Sequence, residues 1–148
     1  MKKVIFDWKR TLYDPDNKTL VDGTLDLLNF LKRKHIQIVL IGKGNDDMYS
    51  EVERLGIKNY FTNIMFSEGV KDLNLFTPYI HKKSPQDTLF IGDRVRSELA
   101  IGSNLGATTL WVKQGKFAAE EPESEDQTPT YTVKALSEVK QVLEKILG

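Results

Sequence analysis

No cysteine occurs in the 148 residues of this chain. That excludes a disulfide framework, a thiolate metal centre and a cysteine nucleophile. Histidine is nearly as scarce, with only His35 and His81, which argues against a multi-histidine metal site. A metal ion here would be held by carboxylate and carbonyl oxygens, a donor set that favours magnesium or a similar hard ion. There is no excess of charge of either sign: Lys plus Arg and Asp plus Glu number 21 each. A balanced chain offers no bulk electrostatic support for a nucleic-acid partner or an anionic membrane. Long apolar runs are also missing. No stretch approaches the roughly 20 residues that cross a bilayer, and the apolar run after Met1 is too short for a signal peptide. The expectation is a cytoplasmic protein with no membrane partner.

What is present is ordinary globular material, 40% hydrophobic and 28% charged, at a length that suits a single domain spanning residues 1–148. Short apolar runs alternate with amphipathic stretches. Strands are expected at 4–6, 36–41, 63–66, 88–91, 108–112 and 131–133. The run from Ile36 to Ile41 is nearly continuous and β-branched, as a strand covered on both faces of a parallel sheet should be. Helices are expected at 23–34, 46–55, 73–81, 95–105 and 135–147, with Pro78 kinking or shortening the third. Gly56 and Gly106 stand where C-terminal caps belong. This alternation predicts a doubly wound α/β fold with right-handed crossovers. Between Gly115 and Thr130 the chain turns polar and acidic, which reads as a solvated, mobile loop.

In an open parallel sheet, ligands bind beyond the carboxyl ends of the strands. Asp7, Gly42-Lys43-Gly44, Lys71 and Gly92-Asp93 all fall at or near such ends. If the strands leading to Asp7 and Asp93 are neighbours, their carboxylates converge and repel unless a cation lies between them. Magnesium is the simplest occupant, and a nearby lysine would help hold a dianionic phosphate. Each residue has a plainer reading as well. Asp7 could cap a loop, Lys71 could be a surface lysine, and Glu98 could be a helix-start acid favoured by the dipole. Arg94 and Arg96 could contact phosphate, though a solvated helix start is the plainer reading, and Trp8 and Trp111 read as core or rim packing.

The ordered set of fragments resembles the haloacid dehalogenase (HAD) superfamily. Ile5-Phe6-Asp7-Trp8-Lys9-Arg10-Thr11-Leu12 is similar to its first motif, an apolar strand followed by Asp-x-Asp-Gly-Thr-Leu. Ile38-Val39-Leu40-Ile41-Gly42 stands where a second motif ends in Thr or Ser. Lys71 takes the place of the third-motif lysine. Leu89-Phe90-Ile91-Gly92-Asp93 followed by Glu98 matches the fourth. The resemblance implies a Rossmann-like, three-layer α/β/α domain and a magnesium-dependent phosphohydrolase or phosphotransferase. It implies Asp7 as nucleophile, Lys71 and the Gly42-Lys43 backbone on phosphate, and Asp7, the Lys9 carbonyl, Asp93 and Glu98 around the metal. Only 34 residues separate Asp7 from Gly42 and 28 separate Gly42 from Lys71. Core elements fill both gaps, so no cap domain is expected. Cap-less members take phosphorylated macromolecules or use a neighbouring subunit as lid, so a phosphorylated small molecule, a phosphorylated macromolecule and a lid-lending homo-oligomer all stay open.

Three positions depart from the pattern. The family's general acid–base Asp is Lys9, whose ammonium offers donors and no acceptor to take a proton from water. The motif's Gly is Arg10, which restricts the tight loop after the strand, and its Thr or Ser is Gly42, which loses a hydroxyl contact to phosphate that backbone amides and Lys43 could partly replace. The metal-binding half of the site is thus kept better than the proton-transfer half. Beside the enzyme stand two other readings: a non-catalytic domain binding phosphate, metal or a protein partner, and a phosphoacceptor that hydrolyses slowly.

Overall fold

A computed structural model describes residues 1–69 and 71–147. Six strands form one wholly parallel sheet: β1 (Lys3–Phe6), β4 (Gln37–Lys43), β5 (Asn63–Ser67), β6 (Thr88–Gly92), β7 (Thr108–Val112) and β8 (Tyr131–Val133). Their order is β5-β4-β1-β6-β7-β8, the doubly wound order expected, with β1 central. Residues of β1 pair on both sides, Phe6 with Leu40 of β4 and with Ile91 of β6. That double pairing is why these strands are apolar throughout instead of alternating.

The pleat sends successive side chains to opposite faces. Val4, Phe6, Ile38, Leu40, Leu89 and Ile91 face one cluster, where they meet Leu27, Leu28 and Leu31 of α1 (Thr24–Arg33), Val52 of α2 (Asp46–Arg54), and Val139 and Leu143 of α5 (Val139–Leu147). Ile5, Val39, Ile41, Phe90 and Trp111 face the other, against Phe76 of α3 (Leu73–Phe76) and Leu99 of α4 (Glu98–Asn104). The result is three layers, α/β/α. Each fully buried side chain of the Leu, Ile or Phe class contributes about 1.5–3 kcal/mol, so the strand ends that carry the polar residues rest on a stiff floor.

The helices keep the expected order but differ at their ends. Pro78 does shorten the third, which runs only from Leu73 to Phe76 before a 3₁₀ turn at Thr77–Tyr79. The helix expected from Val95 starts at Glu98, and the one expected from Ala135 opens with a 3₁₀ turn at Leu136–Glu138. A small antiparallel hairpin, β2 (Tyr13–Asp14) with β3 (Thr19–Leu20), fills the stretch between β1 and α1 and was not foreseen. No cap domain interrupts the core among the described residues. Among the described residues, no helix is long and apolar enough to cross a membrane.

Candidate active site

Asp7 is the first residue past β1, and Asp93 the first past β6. Because Phe6 pairs with Ile91 and the Asp7 amide donates to the Ile91 carbonyl at 3.0 Å, the two carboxylates leave the sheet side by side. Glu98, at the start of α4, folds back over Gly92. A β-carbon at position 92 would strike the Glu98 carboxylate, so the close approach requires glycine. Oxygens of Asp7, Asp93 and Glu98 all lie within 4.8 Å of one another. The residues are 9%, 2% and 4% exposed.

One cation answers these three acids directly. Lys71 Nζ lies 2.5 Å from Asp7 Oδ1, with its side chain 4% exposed. Burial alone would lower the Lys71 pKa, but the facing Asp7, Glu98 and Asp93 outweigh it and the net direction is up. Burial, then the charges of Asp7 and Glu98, push Asp93 up to about 9. Burial and the Asp7 charge push Glu98 up to about 7, with Lys71 pulling the other way. The cluster is therefore short of positive charge. Among the described residues, the buried Asp93 Oδ2 has no hydrogen-bond partner. Three converging carboxylates with one orphaned oxygen form a hard-oxygen donor set that fits a divalent cation of the magnesium type.

The loop after β1 shapes the rest. The amides of Thr11, Leu12 and Tyr13 all converge on the Trp8 carbonyl at 3.2, 3.0 and 3.0 Å. Arg10 takes the left-handed conformation, φ 65°, that the motif's glycine would adopt freely. The Lys9 carbonyl receives none of the loop's hydrogen bonds among the described residues and is left as a potential oxygen donor. The Thr11 hydroxyl donates to Asp7 Oδ2 at 3.4 Å. Trp8 is fully buried and stacks on Tyr13 with ring centroids 4.9 Å apart. It is a packing residue, and its β-carbon lies close over Gly42: a β-carbon at position 42 would meet Trp8 Cβ at 2.6 Å and the Phe66 ring at 3.1 Å. Glycine stands at position 42 because the backbone of the first loop brings the β-carbon of residue 8 into the space beside it.

A cleft of about 140 Å³ opens over this floor, with Lys9, Arg10, Lys43, Arg94 and Phe117 along its rim. The structure thus gathers Asp7, Lys9, Lys43, Lys71, Asp93 and Glu98 into one cleft, while Gly42 lies beneath it in β4. Several participants were not legible beforehand. Arg94 does not stand free in solvent; its guanidinium lies 4.1 Å from the Phe117 ring centroid and 3.0 Å from Glu120 Oε2. Gln114 donates to the Arg10 carbonyl at 3.3 Å and accepts from the Leu136 amide at 3.3 Å. Phe117 and Glu120 belong to the acidic stretch, where the Arg96 side chain also meets the Glu121 carbonyl and Glu123. The only signal for Arg94 was its position directly after Asp93.

Comparison with known proteins shows the family and the fold. Residues 62–139 match the HAD-hydrolase-like family model. The chain is 30% identical over 138 residues to glyceraldehyde 3-phosphate phosphatase of Pyrococcus furiosus, covering 86% of this chain and 56% of that protein. It is 30% identical over 133 residues to the pyrimidine 5′-nucleotidase YjjG of Escherichia coli, covering 84% and 57%. The chain thus spans little more than half the length of these curated relatives. A HAD-superfamily hydrolase from Ehrlichia chaffeensis superposes with a TM-score of 0.73 at 16% identity, covering 100% of both chains. That likeness concerns the fold.

Proposed function

This chain belongs to the HAD-like hydrolases, and on that premise we propose that it is a magnesium-dependent phosphohydrolase with Asp7 as nucleophile. The observation that carries the reading is the buried Asp7–Lys71 pair, 2.5 Å apart, set inside a three-carboxylate cluster at the ends of adjacent strands. Lys71 engages Asp7 Oδ1, and Oδ2, which accepts only a long bond of 3.4 Å from the Thr11 hydroxyl, is the oxygen that attacks. Asp7, Asp93, Glu98 and the Lys9 carbonyl would hold magnesium, which when bound offsets the acids' charge and that of the phosphoryl oxygens.

In the first step an Asp7 oxygen bonds to phosphorus, the ester P–O bond breaks, and the leaving alkoxide takes a proton from water. Lys71 stands where it can hold a phosphoryl oxygen. In the second step water adds to phosphorus, the bond to Asp7 breaks, and inorganic phosphate leaves with Asp7 restored. The attacking water must lose a proton, and no carboxylate stands at position 9 to take it. Release of phosphate from Asp7 is therefore the slow step. The relatives' names support a phosphorylated small molecule as substrate.

The test is turnover of an aryl phosphate with magnesium by wild type and Asp7→Asn, with acid quenching to trap a phosphorylated protein. Modest turnover and an acid-stable, hydroxylamine-sensitive phosphate on wild type only are expected. If Asp7→Asn retains wild-type turnover, the nucleophile is misassigned. If wild type neither turns over nor becomes phosphorylated, the chain is a binding domain instead.

A further inference from the structure

We propose that the substrate carries a second anionic group besides the phosphate that is removed, and that Lys9, Arg10 and Lys43 at the mouth of the cleft bind it. The inference rests on the phosphohydrolase reading and specifies its substrate class.

Charge distribution is the first argument. The whole chain is balanced, 21 against 21, yet the cleft is lined by five cations and three acids. Two of the cations are already engaged: Lys71 with Asp7 and Arg94 with Glu120. Lys9, Arg10 and Lys43 form no ion pair among the described residues. The three acids of the cleft lie on its floor and these three cations lie at its rim, half-buried or exposed. A phosphate ester bound with its phosphorus at Asp7 must lead its leaving group out past them. A neutral leaving group would leave three cations uncompensated. A carboxylate or second phosphate would meet them with charge-assisted hydrogen bonds.

The backbone at position 10 is the second argument. Arginine is held in the left-handed region, φ 65°, a conformation that costs a non-glycine residue about 1–2 kcal/mol. The fold enforces it by pinning the Arg10 carbonyl to Gln114. The guanidinium lies 5.7 Å from the centroid of Phe117, itself part of the cleft wall. A strained residue whose side chain is aimed at a cleft is evidence that the side chain is used there. Space is the third. Lys9 and Lys43 also line an adjoining hollow of about 420 Å³, shared with Asn45, Met48, Asp47 and Glu68, which receives the remainder of the molecule.

Three ligands of equal chain length separate the possibilities: propylphosphonate, 3-phosphonopropionate and propane-1,3-bisphosphonate. Their affinities for wild type, Arg10→Gly and Arg10→Lys are measured by calorimetry at fixed magnesium. Glycine relieves the strained backbone, so the first variant will fold. At least one doubly anionic ligand is expected to bind wild type about tenfold tighter than propylphosphonate or better. Arg10→Gly should narrow that gap several-fold, and Arg10→Lys should keep most of it. The tighter of the two doubly anionic ligands names the second group, and either supports the proposal. Equal affinities in wild type, no binding of any ligand, or an undiminished gap in Arg10→Gly overturns it. Aryl phosphate turnover is followed in parallel. Turnover with a flat ligand series overturns this inference alone. A charge preference without turnover overturns only the phosphohydrolase reading.

Discussion

Replacing Lys71 with methionine removes one positive charge from the site while keeping an unbranched side chain of similar length. In the native structure the ammonium lies 2.5 Å from Asp7, 4% exposed, and faces Glu98 and Asp93 as well. Taking it away leaves three buried carboxylates with no direct cationic partner. Breaking a buried pair by removing one member costs about 3–5 kcal/mol. For a domain of about this size each kcal/mol moves Tm by about 2–4 °C, so Lys71→Met should melt about 6–20 °C below wild type in metal-free buffer. Magnesium should then do more for the variant than for wild type, because the ion enters a site with one more uncompensated negative charge. Binding at a hundredfold excess over Kd contributes about 2.7 kcal/mol, enough to recover much of the loss. Scanning calorimetry of both proteins with EDTA and with saturating magnesium reads all four values. Two results would refute the reasoning: a metal-free variant within about 1 kcal/mol of wild type, or a magnesium-induced shift no larger than that of wild type.

Three further outcomes are expected. Lys9→Asp should raise steady-state aryl phosphate turnover by about one to several powers of ten, since general acid–base assistance is worth about 10²–10⁴-fold. A fall in turnover would mean that Lys9 itself belongs to the mechanism. Gly42→Thr, which restores the hydroxyl of the family motif, should destabilise by about 1–3 kcal/mol through collision with Trp8 and Phe66. Pairing it with Trp8→Gly, which removes the opposing β-carbon, should relieve the collision, so additive losses in denaturant titrations would contradict this account of Gly42. The buried Tyr13 hydroxyl donates to Glu51 at 2.6 Å, and burial with that bond raises its pKa from 10.0 to about 12. The folded state keeps a proton that the unfolded chain loses, so this contribution is whole below pH 10 and is lost as pH rises towards 12. Melting temperature from pH 9 to 12 should fall less steeply in Tyr13→Phe, and parallel curves would rule the pair out as the cause.

The architecture was legible because periodicity is a local property. Ile36–Ile41 and Leu89–Ile91 announce buried parallel strands, and the alternation with helices then places Asp7 beside Asp93. Lys71 was harder to read: nothing local distinguishes it from a surface lysine, and only the order of motifs pointed to it. What escaped was what depends on distant residues. The engagement of Phe117 and Glu120 with Arg94 lies inside a stretch whose composition reads as solvated loop. The hairpin at Tyr13–Asp14 and Thr19–Leu20 has strands of two residues each, too short to show a period. Gly42 looked like a lost phosphate contact until the position of the Trp8 side chain was known. Arg10 looked like an obstacle to the loop, whereas the loop keeps glycine-like geometry with an arginine in it.

The Gln114 side chain carries a consequence for how the protein comes into being. Its amide holds the Arg10 carbonyl with one end and the Leu136 amide with the other. A loop near the beginning of the sequence is thereby clamped by a residue about a hundred positions later, and that residue is itself braced by the turn that opens α5. During synthesis the sheet can start to gather around β1 early, but the geometry of Lys9 and Arg10 is settled only after β7 and the Leu136 turn have left the ribosome. Until then, the loop after β1 has only its own hydrogen bonds, to the Trp8 and Tyr13 carbonyls, and lacks the support that the far end of the chain supplies.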